Sequence, residues 1–361
     1  MSQFLDRVKF GNAHNGIPAV TGTINSYATC TGTLGATTLT TTLSASLGNV
    51  IFIHQTKGAG AGQNEINYVI SDNGATLTVA YPLTYAYGTG AQCVLVPQYT
   101  GGTLSGTVTG IAWGGSVGGI VALMASGELT VSGTITASGL GFRGGSGVGP
   151  GNAIDGKQGE SYAGTWNTTS YLANYSAGGG GENLTNQAAN GGGGGNGVSG
   201  LDGTPNTNGR QGKGGATSGN EELTSVFLGG GGGSASTGND GSSYSTNAGN
   251  GGGIIMIFAP KITVSGSVIA NGGNGPDLTY QSGSGGAGAG GSIIFFSQTP
   301  ILGTNLVTAI GGAGGNSGTG GNGGNGRIRI NYYSGVSGTT NPTLSSGQNT
   351  SLQSFIYGGL I

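Results

Sequence analysis

Hydrophobic residues in this chain arrive in short bursts, and the bursts change character near residue 100. Between 21 and 100 they are rich in Val, Ile, Thr and Tyr, as in NVIFIHQT, EINYVIS, ATLTVAYPL and QCVLVPQYT. Turn signals such as Asp72-Asn73-Gly74 and Tyr87-Gly88-Thr89-Gly90 separate these runs. That is the length and make-up of β-strands, and it predicts a β domain over 21–100 behind a leader at 1–20. No long segment carries the 3.6-residue period of an amphipathic helix.

After Gly101 the bursts repeat. VALMASGELTVSGTITAS (121–138) matches IIMIFAPKITVSGSVIAN (254–271) without a gap, and that segment matches IIFFSQTPILGTNLVTAI (293–310), again ungapped. Each copy reads as a strand, a turn at Gly127, Pro260 or Pro300, a second strand and then a glycine tract. RIRINYY (327–333) reads as the opening strand of a further, truncated copy. Such a unit cannot bury its own apolar face, and stacking neighbours buries it. The expected fold is all-β: the N-terminal β domain, then β-solenoid-like repeats over 101–335, then a C-terminal segment at 336–361. Two polar insertions, 151–177 and 234–248, interrupt the repeats.

The tracts between the strands hold much of the glycine, which makes up 86 of 361 residues. Runs at 178–181, 191–195 and 229–233 offer no side chains. The tract at 311–326, GGAGGNSGTGGNGGNG, is close to a GGX period broken only at Ser317. Three residues per turn is the period of the polyproline II helix, which makes no internal hydrogen bonds. When buried, its N–H and C=O groups must pair with neighbouring chains. Two glycine faces would let neighbours approach, marking Gly312, Gly315, Gly321 and Gly324 as structural, with Asn316, Asn322 and Asn325 turned outward. A flexible linker explains the composition but not the phase, and collagen is disfavoured because no proline falls within 311–326. GGNGPDLTY (272–280) meets part of a calcium-binding repeat, yet Thr279 takes its apolar position and no tandem copy follows.

Composition removes several function classes. Charged residues are 6% of the chain and the net charge is −2, with no basic stripe beyond Arg327 and Arg329, which argues against nucleic acid. No run of about 20 apolar residues exists to insert in a membrane, and the first residues lack a signal-peptide core. That combination suits a protein released by lysis, or assembled on something that is. Cys30 and Cys93 lie in different strand-like runs and read as free thiols.

Catalytic signals are thin. His14 and His54 are the only histidines, His54 reads as packed within its strand, and no metal or cofactor motif is present. Asp155, Glu160, Glu221 and Glu222 read as solvated loop acids, so no enzyme is expected. Binding is the better expectation. Tyr162, Trp166, Tyr171 and Tyr175 crowd one insertion among Asn and Thr residues, and rigid aromatics stack on sugar faces at little entropic cost. Against that stands inward packing of the same rings over glycine backbone; Tyr244 and Tyr280 are weaker candidates.

Glycine tracts alternating with strands such as ITVSGSVIANGGNG resemble glycine-rich β-repeat proteins of bacterial surfaces and phage tails. The GGX tracts resemble the polyglycine II bundles of phage tail-fibre adhesins. NVIFIHQTKGAGAGQNEINYV and GFRGG are similar to domains that precede such repeats. The resemblance covers about 110–335. It implies a virion-tail or cell-surface location and a host-surface glycan or protein as receptor. It also implies attachment to other tail proteins through the N-terminus and a possible homo-oligomer. A filament-forming surface protein, assembling through strand edges or the apolar end SFIYGGLI (354–361), is the alternative, and a glycan-cleaving spike the third reading.

Overall fold

The computed structural model describes residues 10–149, 153–184, 188–205, 209–238, 245–277, 283–315 and 319–356. The fold is all-β. Six antiparallel strands between Ser26 and Val96 close into a barrel. Strand Val50–Gln55 is buried along its whole length. One face, with Ile51 and Ile53, points into the barrel beside Leu39, Leu77 and Cys93. The other, with Val50 and Phe52, packs outward on the rest of the molecule. Two buried faces explain why NVIFIHQT shows no clean polar alternation. Both cysteines are buried and free, and Gly74 takes a positive φ of 90° in the turn expected at Asp72–Gly74.

Beyond the barrel every pairing of the two large sheets is parallel. The six-stranded sheet runs, in spatial order, Ser345–Gln348, Arg327–Tyr332, Ser292–Ser297, Ile254–Phe258, Ile120–Ala125 and Gln98–Tyr99. The nine-stranded sheet includes Leu129–Val131, Lys261–Val264 and Thr299–Thr308, each reached by the chain directly after its strand in the first sheet. Equivalent positions of successive repeats therefore stack. Val131, Val264 and Leu302 share one core with Leu123, Ile257, Phe295 and Ile330. The opposite face of the six-stranded sheet, with Met124, Met256, Phe258 and Phe296, meets the barrel. Phe258 and Phe296 stack at 4.6 Å with planes 4° apart. Gly22–Thr23 and Ser337–Asn341 also join the nine-stranded sheet. The first of these lies at the start of the segment read as the β domain, and the second in the segment read as the C-terminal tail, so both regions contribute to the stack.

Register departs from the ungapped alignment at the start of each repeat. Ile254 lies opposite Ile120 rather than Val121, while Leu129 lies opposite Ile262 as aligned. The turn 126–128 carries one residue more than 260–261, and it absorbs the difference. In the next repeat the slip runs further: Ile254 pairs Ser292 and Lys261 still pairs Thr299, and alignment resumes at Val268 with Val307 after an irregularity near Gly303, where φ is 67°. A one-residue slip exchanges the two faces of a strand. Here both faces are apolar, so composition could not fix it. Pro300 does not turn the chain; it lies inside Thr299–Thr308.

The glycine tracts form a separate layer with a three-residue rule. In 229–234 the amides of Gly229 and Gly232 donate to Gly252 and Gly249, those of Gly230 and Gly233 to Gly195 and Gly192, and those of Gly231 and Ser234 to Glu160 and Lys157. The carbonyls of the same residues accept, in the same phase, from Phe142 and Gly145, from Ala289 and Gly286, and from Gly178 and Gly181. One extended segment thus bonds to six others. A Cβ on Gly233 would overlap the Gly179 carbonyl, and one on Gly230 the Ser176 carbonyl. Gly312, Gly315, Gly321 and Gly324 face the carbonyls of Gly273, Pro276, Leu201 and Val198 equally closely.

At the rim of this layer asparagine takes over. Asn322 is exposed, but its Oδ1 accepts from Gly314 at 2.7 Å, and Asn325 Oδ1 accepts from Gly311 at 3.1 Å. Asn250 and Asn274 do the same for Gly144 and Ala313. These amides fold back onto backbone donors of the layer instead of simply pointing outward. Asn316 and Ser317 lie outside the described residues.

Replacing Gly324 or Gly233 by valine is expected to cost about 3 kcal/mol or more, since backbone must move. Asn322→Ala forfeits one hydrogen bond and costs about 1 kcal/mol. Denaturant unfolding of the three variants checks the order; equal, negligible losses would show that the tracts carry no packing role.

Candidate functional site

The insertion at 153–177 leaves the glycine layer and returns to it. Its first part, Gly156–Ser161, is itself a layer member: Gly159 donates to Gly178 and Glu160 to Arg143. Between 162 and 175 the chain loops over the surface, held by bridges Lys157–Thr169 and Asn174–Ala177.

Under the loop sits a buried carboxylate. Glu160 has 1% side-chain exposure and accepts from Arg143 Nε at 2.7 Å and Lys57 Nζ at 2.9 Å. Burial opposes its charge, but the two cations outweigh burial and hold its pKa below the usual carboxylate range. The cluster ties the barrel loop at Lys57 to the glycine layer. Trp166 is part of it: the Arg143 guanidinium lies 3.6 Å from its ring centroid, and its indole Nε1 donates to Gly144 at 3.0 Å.

Of the four aromatics expected to act together, Tyr162 and Tyr175 pack against each other, while Trp166 and Tyr171 each face an arginine. Tyr162 packs between Tyr175 and Phe227, with ring centroids at 5.6 and 5.0 Å. Trp166 is pinned by Arg143. Tyr171 faces the Arg210 guanidinium at 5.0 Å. Tyr175 is 54% exposed beside the 53% exposed Leu172, at a positive φ of 54°. The carbonyls of Tyr171 and Tyr175 accept from Lys213 and Ala216, so this outer strip is tied to the layer although its two acceptors stand four residues apart. Tyr244 and Tyr280 lie outside the described residues.

Two concavities adjoin the insertion. A cleft of about 1060 Å³ runs along the barrel, lined by Thr29, Thr31, Thr40, Thr42 and Lys57, among others. Lys57 links its wall to the Glu160 cluster. The alternation of threonines in TCT and TTT was the available signal, and it reads equally well as ordinary exposed strand. The second is a pocket of about 180 Å³ lined by Asp155, Thr169, Ser170, Tyr171, Gly181 and Glu182. Glu182 pairs with Arg210 at 3.2 Å, and Asp155 Oδ1 accepts from the Asn183 amide at 2.8 Å. Sequence separation hid the meeting of Asp155 with Glu182.

Of the other acids, Glu221 and Glu222 are exposed. His14 is exposed. His54 is buried, with Nε2 donating to Val226 at 2.9 Å and Nδ1 accepting from Thr56 at 2.8 Å. Among the described residues no group of three or more His, Cys, Asp and Glu is placed to hold a metal ion, and no helix is long and apolar enough to cross a membrane. No protein-family model, curated protein or solved structure matches this chain.

Glu160→Ala leaves the partly exposed Arg143 and Lys57 without their shared partner and is expected to cost about 1–3 kcal/mol in denaturant unfolding. His54 yields a pH test. Burial lowers its pKa from 6.5 to about 4. As pH falls from 6.5 toward 4, the unfolded chain takes up a proton that the folded chain refuses, so stability declines. That part of the decline is expected to vanish in His54→Gln, read as melting temperature against pH.

Proposed function

We propose that this chain is a structural and adhesive protein, a phage tail-fibre or tail-tip component that binds a glycan-bearing receptor on a host cell. The observation carrying this reading is the outer strip of the insertion: Tyr175 and Leu172 are about half exposed on backbone fixed through Lys213 and Ala216. Stiff backbone beneath an exposed aromatic lowers the entropic cost of binding. The parallel registers, with each repeat contributing to both large sheets, support a β-solenoid. The three-residue hydrogen-bond phase supports a polyglycine II-type bundle packed at its side. Both are stiff, elongating devices suited to a fibre.

In this reading the protein works by binding and catalyses nothing. Glu160 serves as a clamp between Arg143 and Lys57. Asp155 and Glu182 act as hydrogen-bond acceptors on a rigid wall. The location is the virion tail or another extracellular surface, with further tail proteins or copies of this chain as assembly partners.

Labelled protein is expected to adhere to a subset of a panel of bacterial strains. Tyr175→Ala should weaken adherence by about 1–2 kcal/mol and lower stability by about 0.5–1.5 kcal/mol, the worth of its ring pair with Tyr162. Trp166→Ala should lower both, because the indole is tied to Arg143 and Gly144. Adherence unchanged by Tyr175→Ala would remove the strip from the binding face.

A further inference from the structure

The pocket of about 180 Å³ beneath Tyr171 has the size, charge balance and donor set of a site for one sugar ring. At about 30 Å³ per water it has the volume of roughly six waters, too small for an oligosaccharide or a drug-sized ligand. Gly181 forms part of its wall, where the Gly181 amide and carbonyl are both bonded within the glycine layer. The floor is therefore rigid. Asp155 is oriented by the Asn183 amide through Oδ1, and Glu182 by Arg210 through Oε2. Their second carboxylate oxygens have no protein partner among the described residues.

Charge decides the ligand class. Two carboxylates line the pocket, Arg210 pairs with one of them, and Lys157 Nζ donates to the pocket-lining Thr169 at 2.6 Å. The two negative and two positive groups balance. An anionic sugar would meet two carboxylates, and a metal ion would meet only two carboxylate ligands beside two cations. A neutral polyol instead satisfies the free carboxylate oxygens with its hydroxyl protons, as charge-assisted hydrogen bonds. Ser170 and Thr169 supply further hydroxyls, and Tyr171 an apolar ring for C–H contact.

We propose that this pocket binds a single neutral hexose unit of a surface glycan, with Asp155 and Glu182 accepting from its hydroxyls. The proposal rests on the adhesive reading above and names a receptor component for it.

The test is saturation-transfer NMR and calorimetric titration of the full chain with glucose, galactose, mannose, N-acetylneuraminic acid, glucosamine and calcium chloride. At least one neutral hexose is expected to bind with a dissociation constant on the order of 1 mM, with its protons close to the Tyr171 ring. Asp155→Ala and Glu182→Ala should each weaken it about tenfold. Glu182→Gln, whose one oxygen stays with Arg210 and whose amide nitrogen cannot accept, should weaken it by a similar factor without disturbing the Arg210 contact, so a folding defect in either alanine variant leaves that comparison standing. Absence of neutral-hexose binding by the native chain overturns the proposal, as does stronger binding of the acidic sugar, the amine or calcium. Affinity indifferent to both alanine variants overturns it too. Native protein that adheres to cells yet binds no hexose defeats the pocket alone. Hexose bound in the pocket without adherence to any strain defeats the adhesive reading and leaves the pocket intact.

Discussion

Backbone-to-backbone contact without intervening side chains is what the glycine layer depends on. In a β-sheet a strand bonds to two neighbours and projects side chains on the remaining faces. In 229–234 each residue donates in one direction and accepts in another, and six neighbours are served in turn. Where the Cβ would point at a neighbour's carbonyl, as at Gly230 and Gly233, only glycine permits that approach. Glycine loses about 0.5–1 kcal/mol more than alanine on ordering, while a buried hydrogen bond contributes about 1 kcal/mol net. One bond per residue therefore offsets the extra entropy, provided that no donor or acceptor in the layer is wasted. The asparagines at the rim meet that condition, and so does Ser234 where its hydroxyl takes the Lys157 amide at 2.8 Å.

The glycine layer and the sheets support one another through shared chain. Glycine tracts lead directly into strands of the stack, as at Gly291 before Ser292 and Gly326 before Arg327. Stacking the strands sets the height of each tract, and the tract bonds in turn fix where the next strand starts. Barrel and layer then meet at Lys57, Arg143 and Glu160, where one buried carboxylate joins groups distant in sequence.

Much of this was legible in the residues. Short Val- and Ile-rich runs, Asp72-Asn73-Gly74, and the repeated ITVSG and TVSG segments carry local signals, and local signals survive in a sequence. Register within the repeats was less legible, because IVALMA and IIMIF are apolar on both faces and turn length alone separates two alignments. Pro300 looked like Pro260 but sits in a strand, since the bulge near Gly303 moves the irregularity downstream. The site was legible as a cluster of aromatics and illegible as geometry. Nothing in Trp166 or Tyr171 announces the arginine that each one faces. Asp155 meets Glu182 only because Gly181 returns to the same layer as Gly156, whose amide donates to its carbonyl.

Side-chain amides also finish the stack at its barrel end. Gln98–Tyr99 pairs only with Met124 and Ala125. Asn25 then takes both the N–H and the C=O of Ala122, at 3.2 and 2.8 Å. Gln92 does likewise for Gly118, at 2.9 and 3.0 Å. Two barrel residues thereby imitate a missing strand and leave no template for an incoming one. A repeat added at the barrel end would find both positions already taken, so the stack is capped there by side chains rather than by a strand.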